Sequence, residues 1–188
     1  MSPEVRGVRP SDVSSLLLDA NPRLEELPWR DRAASAHRMD TLDATTGLRS
    51  RAGLLDDMER SLGQGSAAVV VVDLEDFRTV NALLGQRGGD RVLRDVALAL
   101  GRRVRATDPV GRVGSDTFAV VLRGLTPLQV RGVAERLQRA VAEVPAPGAP
   151  PLRATVAVAR AVPGEGAHSL LDRAVALVGV ARRAALAA

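Results

Sequence analysis

Apolar and polar positions follow each other along this chain in a rhythm that changes several times. Residues 67–72, Ala-Ala-Val-Val-Val-Val, form an unbroken, largely β-branched apolar run, which predicts a central strand covered on both faces. Asp73 ends that run. Before it, Leu54, Leu55, Met58 and Leu62 recur at helical spacing, so a helix opening at Thr46-Gly47-Leu48 and stopped by Gly63 and Gly65 is expected. After it, a short helix over about 78–84 ends at Gly85. A second helix from about Asp90 sets Val92, Leu93, Val96, Ala97 and Leu100 along one side. Two short strands, 109–113 and 118–122, flank Gly114-Ser115-Asp116-Thr117 and read as a hairpin. A helix over about 127–141, a Pro/Gly loop at 145–151, a strand at 153–161 and a closing helix over about 169–186 complete the series. The order α-β-α-α-β-β-α-β-α predicts an α/β fold with helices flanking a central mixed sheet, since a hairpin cannot belong to a purely parallel one. Residues 1–41 lack this regularity. A short helix around Leu16-Leu17-Leu18, a loop at Asn21-Pro22 and a polar stretch read as an N-terminal helical or linker extension to a domain spanning 42–188.

Composition narrows the class of function. All 26 basic residues are arginine, and there is no cysteine, which excludes disulfides, thiolate metal sites and cysteine nucleophiles. The only aromatics are Trp29, Phe77 and Phe118, so no stacking platform exists for single-stranded nucleic acid. No apolar run reaches membrane-spanning length, and the N-terminus lacks the apolar core of a signal peptide; a cytoplasmic protein without a membrane partner is expected. The net charge of +4 is uneven: residues 101–188 carry 13 arginines against 6 acids, while residues 41–100 carry 7 against 9. An arginine-rich half beside an acid-rich middle suits an anionic ligand, nucleotide or nucleic acid first.

Two segments are candidates for chemistry. Asp73, leaving a buried strand with Glu75 and Asp76 close behind, is placed as carboxylates that hold Mg²⁺ often are. Asp116, at the hairpin tip, is expected to face Asp73 from the adjacent strand and complete a divalent-ion site. Taken singly, a solvated strand end and an Asp in a tight turn account for them better than a metal site does.

Together with their neighbours the two segments are more specific. Asp43-Ala-Thr-Thr46-Gly47-Leu48-Arg-Ser50-Arg51 resembles the D-x-L-T-G-L-x-N-R opening of GGDEF domains, the diguanylate cyclase family. Asp73-Leu-Glu75-Asp-Phe77-Arg78-x-x-Asn81-Ala82-x-x-Gly85-Gln86-x-x-Gly89-Asp90 resembles that family's D-x-D-x-F-K-x-x-N-D-x-x-G-H-x-x-G-D element. Arg112-Val-Gly114-Ser115-Asp116-Thr117-Phe118 stands where the family writes R-Y-G-G-D/E-E-F, and the resemblance covers about residues 42–184. Arg87-Gly88-Gly89-Asp90 looks like the signature but belongs to the G-x-x-G-D element.

The resemblance implies a fold like the palm of nucleotide cyclases and polymerases, with GTP in a half-site and two half-sites meeting in a homodimer to make cyclic di-GMP. It implies Mg²⁺ as cofactor, held by Asp73, Leu74 and Asp116, with Asp73 and Asp116 as the catalytic acids. Asn81 and Asp90 would read the guanine edge, and Gly114, Ser115 and Arg182 would meet the nucleotide. Departures from the family pattern imply a degenerate site. Thr117 replaces an acid of the signature, Ser115 its second glycine, Ala82 an Asp and Gln86 a His. On the last helix Val175 and Gly179 stand for Asp and Tyr, and Arg182 for Lys. The R-x-x-D motif of the family's inhibitory site is retained as Arg105-Ala106-Thr107-Asp108, with Arg136 at the position of a supporting arginine. The resulting expectation is a catalytically impaired receptor that binds cyclic di-GMP through Arg105, Asp108 and Arg136 and signals to a protein partner. The alternatives are a weak diguanylate cyclase, a GTP-binding pseudo-enzyme and an interaction module.

Overall fold

The computed structural model of the chain describes residues 41–62 and 67–186. The expectations for residues 1–40, and for a helix stop at Gly63 and Gly65, lie outside these residues. Eight elements follow in order: α1 (Arg51–Leu62), β1 (Ala67–Leu74), α2 (Phe77–Gly101), β2 (Val110–Arg112), β3 (Thr117–Arg123), α3 (Pro127–Ala142), β4 (Ala154–Arg160) and α4 (Ala167–Leu186). The four strands form one sheet in the order β2-β3-β1-β4. β1 is therefore internal, as its unbroken apolar run predicts, and all eight of its residues are buried. All three ladders are antiparallel, which corrects the expected mixed sheet. The single parallel pairing is an isolated bridge between Arg49 and Gly111. Only β2 and β3 are neighbours joined by a hairpin; α2 and α3 cross over between strands that point the same way and are not adjacent, β1 to β2 and β3 to β4, and this leaves every adjacent pair antiparallel.

The two-residue period of a strand divides the core. On one face Ala68, Val70, Val72 and Leu74 of β1, with Phe118, Val120 and Leu122 of β3, pack against α2 and α3. On the other, Val69 and Val71, with Ala119, Val121, Ala157 and Ala159, pack against Leu54, Leu55 and Met58 of α1. Leu170, Leu171, Ala174 and Val178 of α4 close that second face. Asp73 is the next odd position of β1, so it belongs to the face that α4 covers.

Two boundaries differ from expectation. The helices expected on either side of Gly85 are one assigned helix, α2, bent where Gly85 takes φ 68° and ψ 169°. That backbone conformation is open to glycine and strained for other residues. Past the bend the helix resumes at once, and a Cβ on Gly89 would lie 1.8 Å from Asn81 Oδ1. The turns before and after the bend are therefore in contact, which residue spacing alone did not indicate. Similarly, α1 opens at Arg51 and not at Thr46. Residues 43–48 form a closed turn, Asp43 N–H donating to Leu48 O and Gly47 N–H to Asp43 O.

That turn rests on α1 at Gly53, where an added Cβ would meet the Thr41 carbonyl oxygen at 2.2 Å. Alanine is worth about 1 kcal/mol over glycine inside an exposed helix. Here the clash with backbone outweighs that gain. Gly53→Ala should lower the melting temperature; a rise would show that the turn can leave α1 without cost.

Candidate nucleotide-binding site

The site lies where β1 ends. Asp73 is 8 % exposed and sits directly across from Thr117 of β3 on one side and Thr155 of β4 on the other. Thr117 Oγ1 donates to Asp73 Oδ1 at 2.7 Å. Asp73 Oδ2 forms an ion pair with Arg182 Nη2 at 2.8 Å, and the same nitrogen donates to the Leu74 carbonyl at 2.7 Å. Arg182 reaches this point because it stands four residues beyond Val178, on the buried stripe of α4 that covers the odd face of β1. Glu75 is met in the same manner as Asp73, its Oε1 accepting from Thr155 Oγ1 at 2.8 Å. Each strand-end acid thus has a threonine hydroxyl from a flanking strand.

Asp116 does not face Asp73. The β1–β3 register gives that place to Thr117. Asp116 lies one residue earlier, in the turn: its carbonyl accepts the Leu74 N–H at 3.0 Å, and its carboxylate accepts from Ser115 Oγ at 2.8 Å. Register is the reason: β3 begins at Thr117, which leaves Asp116 in the turn ahead of the strand. Gly114 closes the turn, where an added Cβ would lie 2.9 Å from Thr117 Oγ1. Ser115 is exposed and free of positive-φ strain, so its Cβ is accommodated.

Asp73, Leu74 and Asp116 do not fit a divalent ion in this arrangement. One guanidinium nitrogen already bridges the Asp73 carboxylate and the Leu74 carbonyl, and a hydroxyl occupies the other carboxylate oxygen. Among the described residues no group of three or more His, Cys, Asp or Glu side chains is disposed to hold a metal.

Beside this cluster opens a cleft of about 1080 Å³. Asn81 and Asp90, the expected guanine readers, both line it, brought to one side by the bend at Gly85. Arg78, Arg112, Ser115, Asp116 and Arg182 line it as well. The Arg105-to-Asp108 turn lies elsewhere, in a groove of about 410 Å³ that also includes Arg49 and Asp57. Asp108 is 8 % exposed and accepts the Arg105 N–H at 3.1 Å, while Asp108 N–H donates to the Arg105 carbonyl. The Arg105 side chain is exposed. Arg136 does not line this groove; its Nε donates to the Arg103 carbonyl at 2.8 Å.

One interaction carried no sequence signal as a pair. Arg112 Nη1 lies 3.3 Å from Asp43 Oδ1, and Arg112 Nε donates to the Ser115 carbonyl, so this side chain ties the hairpin tip to the 43–48 turn. Asp43 also accepts from Thr46 N–H and Thr46 Oγ1. The two residues are distant in the chain, and only the D-x-x-T and R-x-G motifs, read as partners, could have linked them.

A four-stranded antiparallel sheet layered between helices, with a carboxylate at the end of its inner strand and a polar cleft beside a hairpin, defines a palm-like α/β fold. The family model described as "Diguanylate cyclase, GGDEF domain" matches residues 40–184, and the chain belongs to that family. It is 29 % identical over 181 residues to the response regulator PleD of Caulobacter vibrioides, covering 88 % of this chain and 40 % of PleD's own length. Diguanylate cyclase SiaD of Pseudomonas aeruginosa, solved in complex with its activator SiaC, superposes with a TM-score of 0.71 at 26 % identity, covering 93 % of this chain and 74 % of SiaD's. The coiled coil and GGDEF domain of DgcB from Caulobacter crescentus, solved in complex with c-di-GMP, gives 0.72 at 23 % identity and shares the fold, covering 92 % of this chain and 95 % of that one. No helix among the described residues is long and apolar enough to cross a membrane.

The Asp43 clamp has a pH signature. Burial works against ionisation of its carboxyl, but hydrogen bonds from Thr46 and the Arg112 guanidinium overcome it and hold the group below the usual carboxylate range. A carboxyl depressed in the folded state contributes stability above its unfolded value and loses it as pH falls through the folded one. The acid limb of the stability curve, below about pH 4, should therefore flatten in Asp43→Asn, as followed by urea unfolding at stepped pH.

Proposed function

We propose that this chain is a catalytically impaired GGDEF domain that binds cyclic di-GMP through the Arg105-to-Asp108 turn. The observation that carries the reading is the contrast between the two sites. At the end of β1 the Asp73 carboxylate is paired with Arg182 and hydrogen-bonded by Thr117, whereas the Arg105 side chain is exposed beside an open groove. A guanidinium of this kind forks onto a phosphate or onto the O6 and N7 edge of guanine. Asp108 supports it by closing the turn that presents Arg105. Arg136 contributes by bracing the Arg103 carbonyl next to that turn, a supporting role and not a direct one.

Impairment follows from charge. A triphosphate brings several negative charges, and phosphoryl transfer depends on positioned cations and on acids that hold them. Thr117 supplies no charge, and Asp73 is already paired. Removing such an electrostatic contribution costs on the order of a hundred- to a thousandfold in turnover. A protein partner is the output in this reading; SiaD, solved in complex with its activator SiaC, is a relative that also has a protein partner.

A second reading, a pseudo-enzyme that holds GTP without converting it, is favoured by the 1080 Å³ cleft lined with Asn81 and Asp90. An Asp carboxylate there accepts from the N1–H and N2–H donors of guanine. The two readings separate by ligand and by site.

Calorimetric titration of the full chain with cyclic di-GMP should give micromolar binding that weakens at least about tenfold in Arg105→Ala. Binding unchanged by that substitution would overturn the receptor reading. Incubation with GTP and Mg²⁺ should yield no cyclic di-GMP by chromatography; product that disappears in Asp116→Ala would establish the weak cyclase instead. Melting-point stabilisation by GTP, lost in Asp90→Ala, would support the pseudo-enzyme.

A further inference from the structure

We infer that the Arg182 guanidinium stands in for a divalent cation at the end of β1, making this a site closed to metal by a cation that the chain itself supplies. The inference deepens the impaired-site reading and is independent of the Arg105 groove.

Charge at one register position sets the requirement. Asp73 and Thr117 are direct cross-strand partners on the same face of the sheet. Were residue 117 an acid, two carboxylates would face each other at close range, and like charges so placed are destabilising unless a cation of matching charge lies between them. With Thr117 the pair carries a single negative charge. The hydroxyl donates to Asp73 Oδ1, and one positive charge completes the balance. Arg182 supplies that charge, 2.8 Å from Asp73 Oδ2.

Geometry makes the replacement exclusive. The Arg182 Nη2 that pairs with Asp73 also donates to the Leu74 carbonyl at 2.7 Å. Those are two of the three groups that the family resemblance assigns to the metal. A magnesium ion binds oxygen at about 2.0–2.1 Å, so an ion held by these two oxygens would need the space that the nitrogen fills. The third group is also diverted, since the Asp116 carboxylate turns to the Ser115 hydroxyl. Position matters equally. Arg182 continues the 170, 174, 178 stripe of α4, so the packing of that helix on the sheet delivers the guanidinium to the strand end. The side chain is 39 % exposed and the Asp73 side chain 12 %, which places the positive group at the mouth of the site as a stopper over a buried acid. The family pattern also has a cation at 182, a lysine, so what is particular to this chain is Thr117 together with a guanidinium that meets the Asp73 carboxylate and the Leu74 carbonyl at once. Thr117 removes the need for a second positive charge, and Arg182 meets the need for the first.

The test is a Mn²⁺ titration of the full chain, followed by calorimetry and by the electron paramagnetic signal of free Mn²⁺. The wild-type chain should bind no Mn²⁺ at Asp73 at millimolar concentration. Thr117→Glu with Arg182→Ala should create one Mn²⁺ site, lost again when Asp73→Asn is added. Wild-type Mn²⁺ binding that Asp73→Asn abolishes would overturn the inference, as would a cooperatively melting double variant that stays silent. Thermal melts test the pairing even if the double variant does not fold. Arg182→Met should lower the melting point by more in the wild-type background than in Asp73→Asn, because the acid then loses the cation it is paired with. Equal shifts in the two backgrounds would overturn it. Cyclic di-GMP enters none of these measurements, so failure here leaves the receptor reading standing, and the reverse holds too.

Discussion

A carboxylate at the buried end of the central strand has to be matched, and much of the site is arranged around that requirement. Leaving such a charge uncompensated costs several kcal/mol. The valines of β1, each worth roughly 1.5–3 kcal/mol when fully buried, hold Asp73 in place despite that cost. The strand cannot move the acid outward without exposing them. The match must therefore come to Asp73. It comes from two directions, a hydroxyl from the β3 side of the sheet and a guanidinium from the last turns of α4. Strand register and helix packing both end at this one group.

The arginines sort themselves by what holds them. Arg112 is spent on Asp43 and the Ser115 carbonyl, Arg136 on the Arg103 carbonyl and Arg182 on Asp73 and Leu74. Each has a structural anchor: Arg112 and Arg182 tie the 43–48 turn and α4 to the sheet, and Arg136 ties α3 to the loop after α2. Arg105 differs, because its turn is closed by backbone bonds and the Asp108 carboxylate, and its side chain faces outward. Most arginines of the positive half-chain stay exposed, and Arg112, Arg136 and Arg182 are among the arginines that brace the fold. Guanidinium suits this use, since its several donors can serve a carboxylate and a carbonyl together where an ammonium presents a single point of charge.

Much of the fold was legible in local pattern. The buried run at 67–72, the hairpin about Gly114, the amphipathic helix α3 and the small-residue strand β4 fall within a residue or two of where periodicity places them. The capping box of Thr126 and Gln129 at the start of α3 is a local signal of the same kind. The antiparallel sense of every ladder was not legible, because apolar periodicity carries no direction. The bend at Gly85 was half legible: glycine marked a break, but only the contact of Asn81 with the Gly89 turn explains why the helix continues beyond it.

By itself, the sequence determined the family, the elements and the residue types available at each site, since motif spacing and periodicity are written along one dimension. It also marked Thr117 as the departure in the signature. What only the tertiary structure decided is which side chains meet. It set Thr117, and not Asp116, opposite Asp73; it joined Arg112 to Asp43; and it paired Arg182, which also lines the cleft, with a buried acid. The physical reason is common to all three. Electrostatic pairing depends on distances of a few ångströms across strands and helices far apart in the chain, and those distances exist only once register and packing have been chosen.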